Sequence, residues 1–108
     1  MKYLVLMLLA VASLSGAQNT QTFTGTITDS ECALAGHAQM RMGPTDAECI
    51  VACIRSHGAS YVLHDGKDVY VLSDQKTPEK FAARKVRVTG TLDARTKTIK
   101  VDAITPVQ

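Results

Sequence analysis

Polar and apolar residues alternate strictly through Thr22-Phe23-Thr24-Gly25-Thr26-Ile27-Thr28. A period of two puts Phe23, Gly25 and Ile27 on one face and four threonines on the other, which predicts a half-buried strand. Gly25 in its middle marks a sharp bend or a bulge. Two apolar runs rich in strand formers, residues 60–64 and 68–72, flank Asp65-Gly66-Lys67 and predict a hairpin. Near the end of the chain, residues 85–92 turn Val86, Val88, Gly90 and Leu92 inward. Residues 98–104 do the same with Ile99, Val101 and Ala103, and a turn over 93–97 joins the two.

The helical signals fall between these strands. Asp29 or Ser30 caps a short turn that ends at Gly36, and residues 39–44 form a loop. Thr45-Asp46-Ala47-Glu48 matches a capping box, so a helix starts there and runs to about His57, with Gly58 just past its end. Thr77-Pro78-Glu79 starts a second, short helix that reaches about Ala83, with proline at its first position. The order is strand, helical insert, strand, strand, helix, strand, strand. It predicts a mainly β fold, a five-stranded OB-like Greek-key barrel. The helical insert, 29–58, lies between strands 1 and 2, and a short helix lies between strands 3 and 4. An open five-stranded α+β sheet satisfies the same periodicity.

The first residues follow a different logic. Lys2 supplies a positive start, an apolar run covers 3–14, and Ser15-Gly16-Ala17 places small residues at a cleavage site before Gln18. This is the plan of a secretory signal peptide over 1–17, with the domain at 18–108. The apolar run is too short for a convincing span, so no membrane segment is expected after cleavage. The address it implies is periplasmic or secreted. Removing 17 of the 108 residues leaves 91, one domain with 11 basic and 10 acidic residues. That balance gives no electrostatic case for nucleic acid. The basic stretch Lys76, Lys80, Arg84, Lys85 and Arg87 reads as a solvated face.

Export makes the cysteines a question. Cys32, Cys49 and Cys53 are an odd number of thiols sent into an oxidising space. Cys49, Cys53 and His57 recur every four residues, so they share a helix face. Cys32 and His37 lie in the segment before that helix. If the segment folds over the helix, Cys32, His37, Cys49 and Cys53 converge as a Cys3His set of the kind zinc prefers. Copper(I) is the alternative metal, since His37, Met40 and Met42 put an imidazole and two thioethers in one loop. Without a metal, a disulfide from Cys32 to Cys49 or Cys53 leaves one thiol over. A reactive Cys32, with a pKa lowered by a helix start and by His37, is the third possibility.

The remaining candidates have quieter readings. His57 suits a helix C-terminus, and His64 faces solvent beside a turn. Asp29 is a cap, or a partner that orients a ligand. The chain has no C-x-x-C, C-x-x-C-H, G-x-S-x-G or phosphate loop, so no catalytic residue and no enzyme activity is assigned.

The blocks Gly25-Thr26-Ile27-Thr28-Asp29-Ser30-Glu31-Cys32, His37, Cys49-x3-Cys53, Gly58-Ala59-Ser60-Tyr61-Val62-Leu63 and Val86-Arg87-Val88-Thr89-Gly90-Thr91-Leu92 resemble a family of small exported bacterial proteins. That family is common in soil acidobacteria and is known as a domain of unknown function with an OB-like barrel. The resemblance implies a fold, an address and the pattern of Cys32, His37, Cys49 and Cys53, and carries no activity. Two functions are open. In one the protein binds a metal, structural zinc, through its insert. In the other a disulfide-stapled module binds an envelope ligand, a glycan or a peptide, on its barrel face, and copper handling or thiol redox is a further variant. The sequence specifies neither that ligand nor an oligomeric state.

Overall fold

The computed structural model describes residues 19–35 and 45–107. The expected signal peptide, His37, Met40 and Met42 lie outside the described residues. Among the described residues no helix is long and apolar enough to cross a membrane.

Five strands form one sheet: β1 (Gln21–Asp29), β2 (Tyr61–His64), β3 (Val69–Leu72), β4 (Lys85–Asp93) and β5 (Thr98–Pro106). Two α-helices, α1 (Cys32–Ala35) and α2 (Asp46–His57), lie between β1 and β2. A 3-10 turn (Thr77–Phe81) lies between β3 and β4. The ladder runs β1-β2-β3-β5-β4 and returns from β4 to β1, so the sheet closes on itself. The open sheet is thereby set aside. Closure depends on β1 serving two neighbours. Its first part pairs with β4 from Gln21 to Thr26, and its second with β2 from Thr26 to Asp29. Thr26 belongs to both ladders. The circuit is completed by the parallel pair β3–β5, Val71 to Thr98 and Leu72 to Ile99.

The inward face of β1 is as its alternation predicts, with Gly25 and Ile27 buried and Phe23 packed on the core. The interior gathers Ile27, Ile50, Tyr61, Leu63, Leu72, Phe81, Val86, Val88 and Ile99. Burying each such side chain contributes about 1.5–3 kcal/mol, so these nine carry most of the fold. The 3-10 turn seals the sheet below β1. Its Pro78 and Phe81 are buried, and Ile27 exchanges backbone bonds with Ala83 (2.9 Å) and Arg84 (3.0 Å) just after it.

Four expectations change. The element expected as a helix over 77–83 is a 3-10 turn over Thr77–Phe81, because Ala82 already has extended ψ and the chain enters β4 three residues later. Ala103 is exposed and Ile104 packs on the core instead. The cause is a register shift: Thr89 pairs with Ala103 but Gly90 with Val101, so Asp102 is the extra residue of a bulge. One inserted residue reverses which side chains point inward. Thr28, expected to face outward, is 7 % exposed. His64, expected to face solvent, is half-buried at the edge where β2 meets Thr26.

Gly25 has a steric reason. A Cβ there would stand 2.6 Å from the His64 carbonyl oxygen, where β1 bends between its two partners. Gly25→Ala should therefore overpack this crossing and cost about 1–3 kcal/mol, read as a lower urea midpoint at unchanged slope. An unaltered midpoint would contradict the close crossing.

Candidate metal centre

The insert is anchored where β1 ends. Ser30 N–H donates to the Ser60 carbonyl (2.9 Å), and Ser60 N–H donates to Ser30 Oγ (3.0 Å), so the chain leaving β1 is tied to the chain entering β2. Asp29 Oδ1 accepts from the N–H groups of Glu31 and Cys32, both at 2.9 Å. That cap starts α1 and fixes Cys32 at its first position.

Helix α2 follows its sequence signals. Thr45 Oγ1 accepts from Glu48 N–H (3.1 Å), and Gly58 adopts φ 68°, the left-handed cap that turns the chain toward β2. The helix presents two stripes. Ala47, Ile50, Val51 and Ile54, spaced i, i+3, i+4, i+7, pack on the main core. Cys49 and Cys53, one turn apart, face Cys32.

The second stripe makes the site. The Sγ atoms of Cys32, Cys49 and Cys53 all lie within 4.8 Å of one another, and Cys32 and Cys53 are 3.9 Å apart. Their exposures are 3 %, 0 % and 0 %. No cysteine is in a disulfide, and 3.9 Å is far beyond the bonded distance of about 2.05 Å. It is close to the ~3.8 Å edge of a tetrahedron with zinc–sulfur bonds of about 2.3 Å. Among the described residues the three thiols form a packing cluster separate from the main core, with Ala59 packed against it.

Electrostatics in this cluster oppose free thiolates. Burial pushes the Cys32 thiol far above its ordinary range, and the Asp29 carboxylate beside it adds to the effect. Burial also raises Cys53, with the charge of Asp29 next in importance. The expectation of a lowered Cys32 pKa is thus overturned: low dielectric and an adjacent anion both disfavour the thiolate. Asp29 is itself unusual. It is fully buried, and its Oδ2 has no hydrogen-bond partner. A buried, unsatisfied polar atom costs about 1–3 kcal/mol, and more when charged. A cation among the sulfurs would offset both penalties, since it favours thiolate and compensates carboxylate.

The histidines do not join the described cluster. His57 is exposed at the end of α2. His64 lines a cleft of about 290 Å³ that also reaches Thr28, Asp46 and Cys32. A polar contact not marked by any sequence motif links α2 to the 3-10 turn. Tyr61 hydroxyl donates to Glu79 Oε1 (3.3 Å), and Arg55 on α2 reaches the same carboxylate at 3.4 Å. The ion pair is exposed and contributes little by itself. The phenol is buried, and its pKa is pushed up to about 12, first by burial and then by Glu79.

No curated protein and no solved structure matches the chain. The sequence profile described as "Protein of unknown function (DUF5818)" matches residues 53–107, just over half of it. The chain belongs to this family. The matched stretch carries Cys53 and strands β2 to β5, while Cys32 and Cys49 precede it.

The raised Tyr61 pKa predicts an alkaline dependence. The folded phenol stays neutral while the unfolded one ionises near pH 10, so stability present below pH 10 is lost as pH rises to 12. The loss is on the order of 2 kcal/mol. Tyr61→Phe should abolish that part of the decline in urea midpoints between pH 10 and 12, and an identical decline in both proteins would contradict it.

Proposed function

Starting from this family membership, we propose that the chain is an exported metal-binding protein, held together in its insert by a structural zinc ion. On this reading residues 1–17 are removed as a signal peptide and the domain at 18–108 works in the periplasm or outside the cell. The fold is of the OB type. The strand order β1-β2-β3-β5-β4, closed by β4 on β1, and the element between β3 and β4 support it.

The observation that carries the metal reading is the three buried sulfurs within 4.8 Å of one another. Cys32 belongs to α1 and Cys49 and Cys53 to α2, so coordination would tie the two helices together, and metal binding then becomes folding free energy for the insert. Cys32, Cys49 and Cys53 are the sulfur ligands, and a non-sulfur donor takes the fourth place, for which His37 is the candidate from sequence. Zinc suits a closed four-donor site because it needs no redox change and takes mixed S and N or O ligands.

The short Cys32–Cys53 separation favours one second reading, a disulfide between them with Cys49 left as the thiol. A module stapled in this way would bind an envelope glycan or peptide on the barrel face. Metal content and intact mass of one sample separate the readings. The mature protein, purified without chelator, should carry one zinc per chain and the mass of three thiols. Cys49→Ser should abolish zinc uptake, and chelation should lower the melting temperature by roughly 10 °C, a few kcal/mol for a domain of this size. A mass lower by two hydrogens with no metal bound would overturn the zinc reading in favour of the disulfide, and stoichiometric copper would overturn zinc as the metal.

A further inference from the structure

We propose a further function for the three sulfurs: Cys32, Cys49 and Cys53 alone capture a trivalent metalloid hydroxide, for which arsenous acid is the probe. This rests on the metal reading above only in taking those three cysteines as one donor set.

The donor geometry suits this class of ligand. The ligand atoms that lie within 4.8 Å of one another are three sulfurs, with no nitrogen or oxygen donor of a described residue among them. Zinc in a closed site needs a fourth donor from elsewhere. Trivalent arsenic does not. It forms three bonds in a pyramid, keeps a lone pair on its fourth side, and as a soft centre prefers sulfur to oxygen. Cys32 on α1 and Cys53 on α2 stand 3.9 Å apart, and Cys49 lies one turn from Cys53, so the donors surround one point from two elements.

Charge and access agree with it. The three cysteines are buried, and so is the Asp29 carboxylate, in hydrogen-bond reach of the Cys32 side chain. Further net negative charge is costly in such a place. Three thiolates on a divalent ion sum to minus one, whereas on trivalent arsenic they sum to zero. The cleft of about 290 Å³ reaches Cys32 and is lined by Thr26, Thr28, Asp46 and His64. It has room for several water molecules, and its polar side chains can hydrogen-bond a small hydroxylated molecule. Arsenous acid is such a molecule and is uncharged at neutral pH.

The capture balances without a co-reactant. Each thiol replaces one hydroxyl: three As–O and three S–H bonds break, three As–S and three O–H bonds form, and three waters leave. Arsenic stays trivalent and no free proton is released.

The mature protein, freed of metal and reduced with a phosphine, should gain the mass of one arsenic less three hydrogens on incubation with arsenite. Arsenic K-edge absorption should show three sulfurs and no oxygen. The melting temperature should rise, because the assembled donor set belongs to the folded state. Cys49→Ser should bind at least about 100-fold more weakly, since one of three tethered donors is lost, and its adduct should retain a hydroxyl. His37→Ala should bind arsenite as the native protein does. No mass gain in the native protein, an adduct that keeps oxygen, a lowered melting temperature or lost binding in His37→Ala would overturn the metalloid assignment. If the same sample takes up zinc, that assignment fails alone and the metal reading stands. Arsenite capture without zinc uptake would instead overturn the zinc reading and keep this one.

Discussion

The insert depends on what happens among three sulfur atoms. Cys32 comes from the turn after β1, and Cys49 and Cys53 come from one face of α2. Among the described residues Ala59 packs against that cluster. The thiols of Cys32 and Cys53 are pushed toward their neutral form by burial and by a neighbouring anion. The Asp29 carboxylate is buried beside them, in hydrogen-bond reach of the Cys32 side chain. A divalent ion held by the three sulfurs would offset these costs.

The closed sheet makes that cluster possible. β1 must bend to pair with both β4 and β2, and Gly25 lets the His64 carbonyl approach at the bend. Immediately beyond the bend the strand ends at Asp29, so the capping residue is also the last residue of the sheet. Helix α2 is held on the other side by Ala47, Ile50, Val51 and Ile54 against the main core. The two attachments leave Cys49 and Cys53 facing Cys32. The site is thus a consequence of how a rigid sheet and an amphipathic helix meet.

Much of this was legible in the sequence where the signal was local. The alternation of β1 and β4, the Thr45 cap, the Gly58 stop and the shared face of Cys49 and Cys53 are all short-range patterns, and the structure keeps them. What escaped was set by tertiary context. The bulge at Asp102 reversed the expected faces of Ala103 and Ile104, and no residue type marks it. The proline at 78 announced a helical start but not its 3-10 geometry. Cys32 was expected to ionise easily beside a helix start. Burial and Asp29 decide the opposite, and neither is visible in spacing. Asp29 was legible as a cap, but its burial follows only once the insert has covered it.

Zinc K-edge X-ray absorption on the purified mature protein tests the central claim most directly. The account predicts a four-coordinate centre with three sulfur atoms at about 2.3 Å and one oxygen or nitrogen at about 2.0–2.2 Å. A protein with no zinc edge, or a zinc shell of oxygen and nitrogen alone, would contradict it.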